Sequence, residues 1–106
     1  LYPHKKGTQN YENWKKHYSG ATGLFATFIY SKNRNSILKF VNSLKLFGIG
    51  QSWGGFESLV LYQNHNLERV YKKYIKKNHH IVRFHIGLED PNDLIADLRQ
   101  ALKKIK

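Results

Sequence analysis

Two short apolar runs, residues 46–49 and 59–62, are separated by a polar segment that contains one tryptophan and a pair of glycines. Paired glycines let the backbone adopt conformations closed to other residues, or let a ligand approach it closely. A plain hairpin corner needs neither the tryptophan nor the glutamate that follows the glycines. We therefore interpret residues 50–58, here called the Trp-Gly-Gly loop, as a functional loop between two strands. A hairpin corner packed over a sheet is the alternative.

Two further stretches have the composition of strands. Residues 24–30 follow a glycine and are rich in aromatic and β-branched side chains, so alternate residues should share one face. The residues predicted to share this face are Leu24, Ala26, Phe28 and Tyr30. Residues 81–86 predict another strand, with Arg83 and His85 on one face. The opposite face of that strand carries Val82, Phe84 and Ile86.

Helical spacing of apolar residues occurs in two internal stretches. Residues 37–44 predict an amphipathic helix with Asn35 or Ser36 as its N-cap, and residues 67–75 repeat the pattern. Residues 1–18 are polar and aromatic, and they predict an irregular lead-in with a single helical turn near its end.

The strongest helix signal lies at the end of the chain. Asp90 can cap the helix, Pro91 suits its first position, and the carboxylate of Asp93 suits its positive end. The residues predicted to form its buried stripe are Leu94, Ile95, Leu98, Ala101, Leu102 and Ile105. The element order predicts an α/β fold: a two-layer sandwich of a mostly antiparallel sheet with helices on one face.

Length and residue usage limit the class of protein. The 106 residues allow one domain, spanning 1–106, with a modest core. The chain has no methionine, so we expect it to be a piece of a longer protein or a processed product. It has no cysteine, which excludes disulfides and thiol chemistry. No apolar run approaches the ~20 residues that span a bilayer, and we expect a cytoplasmic protein.

The formal net charge of +11 raises the possibility of nucleic-acid binding. Lysine greatly outnumbers arginine, however, whereas readout of bases and phosphates favours the planar arginine fork. A βαββαβ RNA-binding module would fit the element order, but its aromatic signature motif is missing, and the nearest match, residues 55–59, contains a carboxylate. We therefore expect no nucleic-acid partner.

Four stretches resemble one known family and occur in that family's order. Residues 52–59, S-W-G-G-F-E-S-L, are similar to the S-W-G-G-x-E-S-L segment in the small C-terminal domain of the cystathionine β-lyases. Residues 20–25 resemble that family's G-S-S-G-L-F, residues 83–90 resemble R-L-x-I-G-L-E-D, and residues 93–98 follow in register. These lyases are a branch of the Cys/Met-metabolism family of pyridoxal-phosphate enzymes. Trp53 favours this branch, because sister branches usually carry leucine there.

The resemblance implies a fold, a reaction and partners. The fold would be the C-terminal domain of the aspartate-aminotransferase-like fold type I. The whole enzyme would cleave the carbon–sulfur bond of an amino-acid thioether, turning cystathionine into homocysteine, pyruvate and ammonia. Relatives are homotetramers, so we expect an oligomer at full length. A degenerate remnant of the lyase is the remaining alternative.

The resemblance also assigns residues to a substrate site. The family's matching arginine binds the substrate α-carboxylate, so Arg83 is the first candidate; a guanidinium can give a carboxylate two parallel hydrogen bonds. Ser52 and Trp53 would complete the pocket, the Trp53 indole N–H donating to the same carboxylate. Glu57 would accept backbone N–H bonds around the glycines. Gln51 departs from the family, where tyrosine is common, and this puts unaltered specificity in doubt.

The cofactor lysine of that family has no match in the sequence. It follows a Ser/Thr-rich motif in the large domain, and Ser31-Lys32 lacks that context. Pyridoxal phosphate would therefore be bound by the absent large domain, and the 106 residues alone should not be catalytic. The six histidines form no convincing metal set, although His85 shares a strand face with Arg83 and could line the cleft.

Overall fold

The computed structural model describes residues 4–53, 55–63 and 75–105. Three helices and four strands lie in this part of the chain. In order they are α1 Gln9–His17, β1 Leu24–Tyr30, α2 Arg34–Ser43, β2 Gly48–Ile49, β3 Leu59–Tyr62, β4 His79–His85 and α3 Pro91–Leu102. The predicted α/β class is confirmed. The helix predicted over residues 67–75 lies outside the described residues except for its last position.

One four-stranded sheet has the order β1-β4-β3-β2. Strand β4 pairs antiparallel with both β1 and β3, whereas β2 pairs with β3 in parallel through Gly48 and Ile49. A hairpin joins antiparallel strands, so the hairpin alternative for the Trp-Gly-Gly loop is wrong. The loop instead brings the chain back along the sheet so that β3 starts beside the start of β2.

The core lies between one face of the sheet and two helices. Val60, Val82 and Phe84 point to this face because alternate residues of a strand share a side. Helices α2 and α3 cover them, and the buried cluster consists of Ile37, Phe40, Val41, Leu44, Phe47, Val60, Val82, Phe84, Leu94 and Ala101. The predicted helix stripes are only partly correct. Phe40 is buried in place of Leu38, and Ile95 and Leu102 are largely exposed.

The other face of the sheet is open in the described part of the chain. It carries Arg83 and His85 from β4 and the predicted alternating set from β1. Phe28 and Tyr30, both 55% exposed, lie on either side of the His79 ring at centroid distances of 6.2 and 5.6 Å. The strand prediction for residues 24–30 is confirmed, and the face it identified is the open one.

Helix ends follow local side-chain hydrogen bonds. Asp90 caps α3 as predicted, its carboxylate accepting from the Asn92 N–H at 2.8 Å, with Pro91 in the first position. Helix α2 begins earlier than predicted, because the side chain of Asn33 accepts from the Asn35 N–H at 2.9 Å. The lead-in contains a nine-residue helix, α1, rather than a single turn. Thr8 caps it by accepting from the Tyr11 N–H, a signal that the sequence analysis missed.

Asp97 is a buried carboxylate in the middle of α3, 6% exposed. It accepts the backbone N–H groups of Lys45 and Leu46 at 2.8 to 3.0 Å and the Gln100 amide at 2.9 Å. Burial raises the pKa of Asp97, but these donors outweigh burial and hold the pKa below its ordinary value. Asp97 therefore fixes the connection between α2 and β2 against the last helix.

Among the described residues, no helix is long and apolar enough to cross a membrane.

Candidate functional site

A cleft of about 340 Å³ lies between the Trp-Gly-Gly loop and the sheet. The loop contributes Gln51, Ser52, Phe56 and Glu57, and the sheet contributes Leu59 and His85. Leu59 and His85 are partners across the β3–β4 pairing and project to the open face. The cleft therefore opens on the face of the sheet that α2 and α3 leave uncovered.

Arg83 lies on β4, half-buried, on the same face as His85 and two residues before it. Two residues along a strand span about 6.6 Å, so Arg83 lies beside the cleft lined by His85 rather than in its wall. Its cross-strand partners are Ala26 and Leu61, which offer no charge. No hydrogen bond or ion pair to its guanidinium is present within the described ranges, so its donors are available to a ligand.

The three sequence-predicted site residues occupy different positions around this cleft. Ser52 lines it, and Arg83 lies on the same sheet face next to it. Trp53 is 78% exposed and does not line the cleft. The structure thus brings the serine to the cleft and leaves the indole of Trp53 in solvent.

Ser58 connects the end of the Trp-Gly-Gly loop to the segment after β4. Its backbone N–H donates to one carboxylate oxygen of Glu89 at 2.8 Å, and its hydroxyl donates to the other at 2.7 Å. The Ser58 oxygen in turn accepts the Gly87 N–H at 2.8 Å. Ser58 is 1% exposed. Every polar group in this contact is therefore used, as burial requires.

Gly87 allows the loop and this segment to touch. A Cβ atom at residue 87 would lie 2.3 Å from the Phe56 carbonyl oxygen and 2.6 Å from the Ser58 nitrogen, and real Cβ atoms do not approach so closely. The contact is reinforced because the Leu88 N–H donates to the Phe56 carbonyl at 2.8 Å. Only glycine leaves room for this approach of two backbones.

The glutamate that accepts loop N–H bonds is Glu89, not Glu57. Glu57 is exposed, and no hydrogen bond to its carboxylate is present in the described part of the chain. The Ser58 N–H, followed by the Ser58 hydroxyl, lowers the pKa of Glu89 below its ordinary value because both bonds stabilise the charged form. The prediction for Glu57 was wrong. The signal for Glu89 was present in the I-G-L-E-D stretch and was not assigned a role.

His85 contacts the loop from the sheet. Its Nε2 lies 3.2 Å from the Gly55 carbonyl oxygen, and a carbonyl accepts, so Nε2 carries the hydrogen. Its Nδ1 is buried and has no hydrogen-bond partner among the described residues. His85 therefore lines the cleft, as the sequence analysis allowed, and also contacts the loop backbone. No group of three or more His, Cys, Asp or Glu side chains in the described ranges could hold a metal ion.

A comparison with protein families decides the chain's membership. Residues 1–103 match the model of the family described as Cys/Met metabolism PLP-dependent enzyme. The chain belongs to this family. The family prediction is thereby confirmed, and pyridoxal phosphate is the cofactor of the family.

Curated relatives of this family member include lyases and a racemase. A cystathionine beta-lyase from Bordetella avium is 44% identical over 86% of the chain and 23% of its own length. The cystathionine beta-lyase of Escherichia coli K12 is 35% identical over 98% of the chain and 27% of its length. An L-alanine/L-glutamate racemase from Wolbachia pipientis wMel is 36% identical over 99% of the chain and 26% of its length. The chain thus spans about a quarter of these relatives.

A solved structure agrees with the fold. A putative O-acetylhomoserine (thiol)-lyase from Campylobacter jejuni, containing N'-pyridoxyl-lysine-5'-monophosphate, matches with a TM-score of 0.74 and 27% identity. The match covers 96% of this Cys/Met-metabolism chain and 25% of that protein.

The cleft of this family member does not by itself fit pyridoxal phosphate. No lysine among the described residues lines it, so these residues offer no amine for the cofactor's aldehyde. Lys32, the lysine after Ser31 in sequence, is exposed at the other end of β1, where Tyr30 pairs with His79. Among the described residues, the cleft lining therefore supplies no group that could bond to the cofactor's aldehyde.

Proposed function

We propose that this chain is the small C-terminal domain of a pyridoxal-phosphate-dependent carbon–sulfur β-lyase and that it binds the substrate carboxylate. The whole enzyme would convert cystathionine into homocysteine, pyruvate and ammonia. The proposal rests on the position of Arg83. Its guanidinium has no protein partner in the described ranges, and it lies on the sheet face where the cleft lined by Ser52 opens. The family match makes an amino acid the class of ligand.

The proposed task of the chain is orientation. A planar guanidinium binds a carboxylate through two parallel hydrogen bonds, which fix both the position and the angle of the substrate. Ser52 would add a hydroxyl donor from the cleft wall, and the exposed indole N–H of Trp53 would donate to the same carboxylate. Pyridoxal phosphate, held by residues outside this chain, supplies the electron sink for the α-carbon.

Replacing the arginine tests the proposal directly. Truncating one partner of a hydrogen-bonded charge pair typically costs about 2–5 kcal/mol of binding. We therefore expect Arg83→Ala in the full-length enzyme to raise KM for cystathionine by about tenfold or more, measured by pyruvate formation. Arg83→Lys should recover little of the loss, because an ammonium lacks the two-pronged geometry.

Arg99→Ala is the matched control for this experiment. Arg99 is exposed in the last turn of α3, and α3 covers the opposite face of the sheet. Its removal should leave kcat/KM unchanged. An unchanged kcat/KM in Arg83→Ala would remove Arg83 from the substrate site.

Amino-acid racemisation is a second candidate reaction. The observation in its favour is the 36% identity with the Wolbachia racemase over 99% of the chain, which lies between the 35% and 44% identities with the two lyases. Both reactions need the bond from the α-carbon to hydrogen to be held in a fixed direction, so the same carboxylate contacts would serve either. Incubation with L-alanine and with L-cystathionine separates them, since D-alanine marks one reaction and pyruvate marks the other.

The full-length enzyme is expected to be a homotetramer, and the 106-residue chain alone is expected to be inactive. The RNA-binding alternative has no signature motif in its favour, and the family match over residues 1–103 supports the enzyme reading.

A further inference from the structure

We propose that Glu89 is a positioning residue of the substrate site, and that it acts through Ser58. Its ionised carboxylate would fix the Trp-Gly-Gly loop, which carries Ser52, relative to β4, which carries Arg83. This inference rests on the proposed function, because it concerns the distance between the two sides of the carboxylate site.

The loop is held to the sheet at both ends and near its middle. At the first end, the Gly48 N–H donates to the Ser58 carbonyl at 3.0 Å, and the Gly50 N–H donates to the Val60 carbonyl at 3.2 Å. At the second end, Ser58 gives both of its donors to Glu89. Ser58 thus joins β2, the loop and the segment after β4. A change at Ser58 is passed to both ends of the loop.

The path from Glu89 to Arg83 along the chain is short. The chain passes directly from Arg83 at the open face of β4 to Glu89, six residues later. On the way, the Gly87 N–H donates to the Ser58 oxygen, and the backbone at residue 87 touches that of residues 56–58. Movement of the loop away from Glu89 would therefore also move Ser52 away from the strand that carries Arg83.

Only an ionised carboxylate satisfies Ser58 in this arrangement. The Ser58 N–H and O–H both need acceptors, and a carboxylate is acceptor-only with two oxygens. A glutamine offers one acceptor oxygen, and its NH₂ group would compete with the Gly87 N–H for the Ser58 oxygen. Glu89→Gln therefore removes one bond of the contact while keeping the size of the side chain.

Glu89 lies apart from the hydrophobic core, so its effect on the loop can be separated from an effect on global stability. It is half-buried at the end of the sheet and is not part of the buried cluster between the sheet and the helices. Loss of the contact should loosen the loop while α2 and α3 stay packed. This separation distinguishes a positioning role from a general structural one.

The first measurement follows the loop itself in the full-length enzyme. We expect Glu89→Gln to speed hydrogen–deuterium exchange of peptides covering residues 50–58 by about tenfold, as loss of one charged hydrogen bond implies. Peptides covering α3 should exchange as in the wild type. Glu57→Gln is the matched control: it makes the same chemical change on an exposed side chain within the loop and should leave exchange unaltered.

The second measurement follows affinity without turnover. Binding of L-norleucine, which has no leaving group on its β-carbon, should weaken by about three- to tenfold in Glu89→Gln by calorimetry. Asp93→Asn, the same chemical change on an exposed α3 side chain that does not line the cleft, should leave this affinity unchanged. Ser58→Ala removes only the hydroxyl bonds and should show the same pattern. Ser58→Ala replaces Glu89→Gln in the test if Glu89→Gln lowers the thermal midpoint so far that local opening of the loop cannot be distinguished from global unfolding.

Two outcomes would overturn different statements. Glu89 would not be a positioning residue if exchange of residues 50–58 were unchanged in both Glu89→Gln and Ser58→Ala. The same conclusion would follow if exchange became faster but L-norleucine affinity stayed unchanged while Arg83→Ala weakened binding. Either result would leave the proposed function intact. Unchanged L-norleucine affinity in Arg83→Ala would instead overturn the carboxylate site, whatever Glu89 does.

Discussion

Asp97 and Glu89 are two carboxylates that perform the same chemical task in different regions of the molecule. Each accepts hydrogen bonds from a segment distant in sequence: Asp97 accepts two backbone N–H groups, and Glu89 accepts the N–H and the hydroxyl of Ser58. These bonds lower the pKa of each carboxylate. Asp97 is buried under the connection between α2 and β2, beside the hydrophobic core. Glu89 is half-buried beside the Trp-Gly-Gly loop. The same kind of contact thus stabilises the core connection in one place and the loop beside the candidate site in another.

The largest effect on stability is expected at Asp97. Asp97→Ala would leave the N–H groups of Lys45 and Leu46 and the Gln100 amide without their acceptor. Each hydrogen bond to a charged group is worth about 1.5–3 kcal/mol, so the loss of three such bonds should lower the free energy of unfolding by about 4.5 kcal/mol or more. Denaturant unfolding measures this fall. Asp93→Ala, an exposed carboxylate on the same helix, should cost less than about 1 kcal/mol.

A smaller effect, confined to the loop, is expected from Gly87→Ala. The added methyl would meet the Phe56 carbonyl oxygen, so the two backbones must separate. Overpacking of this kind costs about 1–3 kcal/mol, and here it should also loosen the Trp-Gly-Gly loop. The matched control is Gly20→Ala, because a Cβ at residue 20 meets nothing within 4 Å. Equal stability of the two variants would contradict the close approach at Gly87.

The smallest effect is expected from pH. Both carboxylates have folded-state pKa values below their ordinary values of 3.8 for Asp97 and 4.5 for Glu89. Their contributions to stability are therefore complete above those ordinary values and are lost as the pH falls through the folded-state pKa. Unfolding free energies measured between about pH 6 and about pH 3 should fall with acid. Asp97→Asn should reduce this dependence on pH more than Glu89→Gln, since the Asp97 carboxylate accepts from more donors. A larger reduction in Glu89→Gln would contradict the stronger role assigned to Asp97.

Local signals in the sequence predicted the elements they control. The cap at Asp90 and the alternation of residues 24–30 depend on neighbours within a few positions, and both predictions are confirmed. The roles of Asp97 and Glu89 depend on partners 52 and 31 residues away, which no local pattern reveals. For the same reason Glu57, adjacent in sequence to Ser58, was assigned the contact that Glu89 makes. The parallel pairing of β2 was also missed, because two residues are too few to indicate strand direction.

The candidate site was predicted only in part. The resemblance identified Ser52 and Arg83, and the structure places the serine in the cleft wall and the arginine beside it on one sheet face. The resemblance did not predict that Trp53 is exposed or that His85 contacts the loop backbone. Side-chain direction in a loop depends on tertiary contacts, so sequence motifs specify which residues occur there without specifying where they point.

The missing Cβ at Gly87 has a consequence for redesign of this protein. The main chain of residues 56–58 rests directly on residue 87, so backbone contacts there, together with the bonds between Ser58 and Glu89, set the course of this end of the loop. Gln51, Ser52 and Trp53 are exposed and lie outside this backbone contact. Variants at these three positions could therefore change ligand specificity while the backbone of the loop stays in place. Most substitutions at residue 87 would instead displace that backbone, because any side chain there would meet residues 56–58.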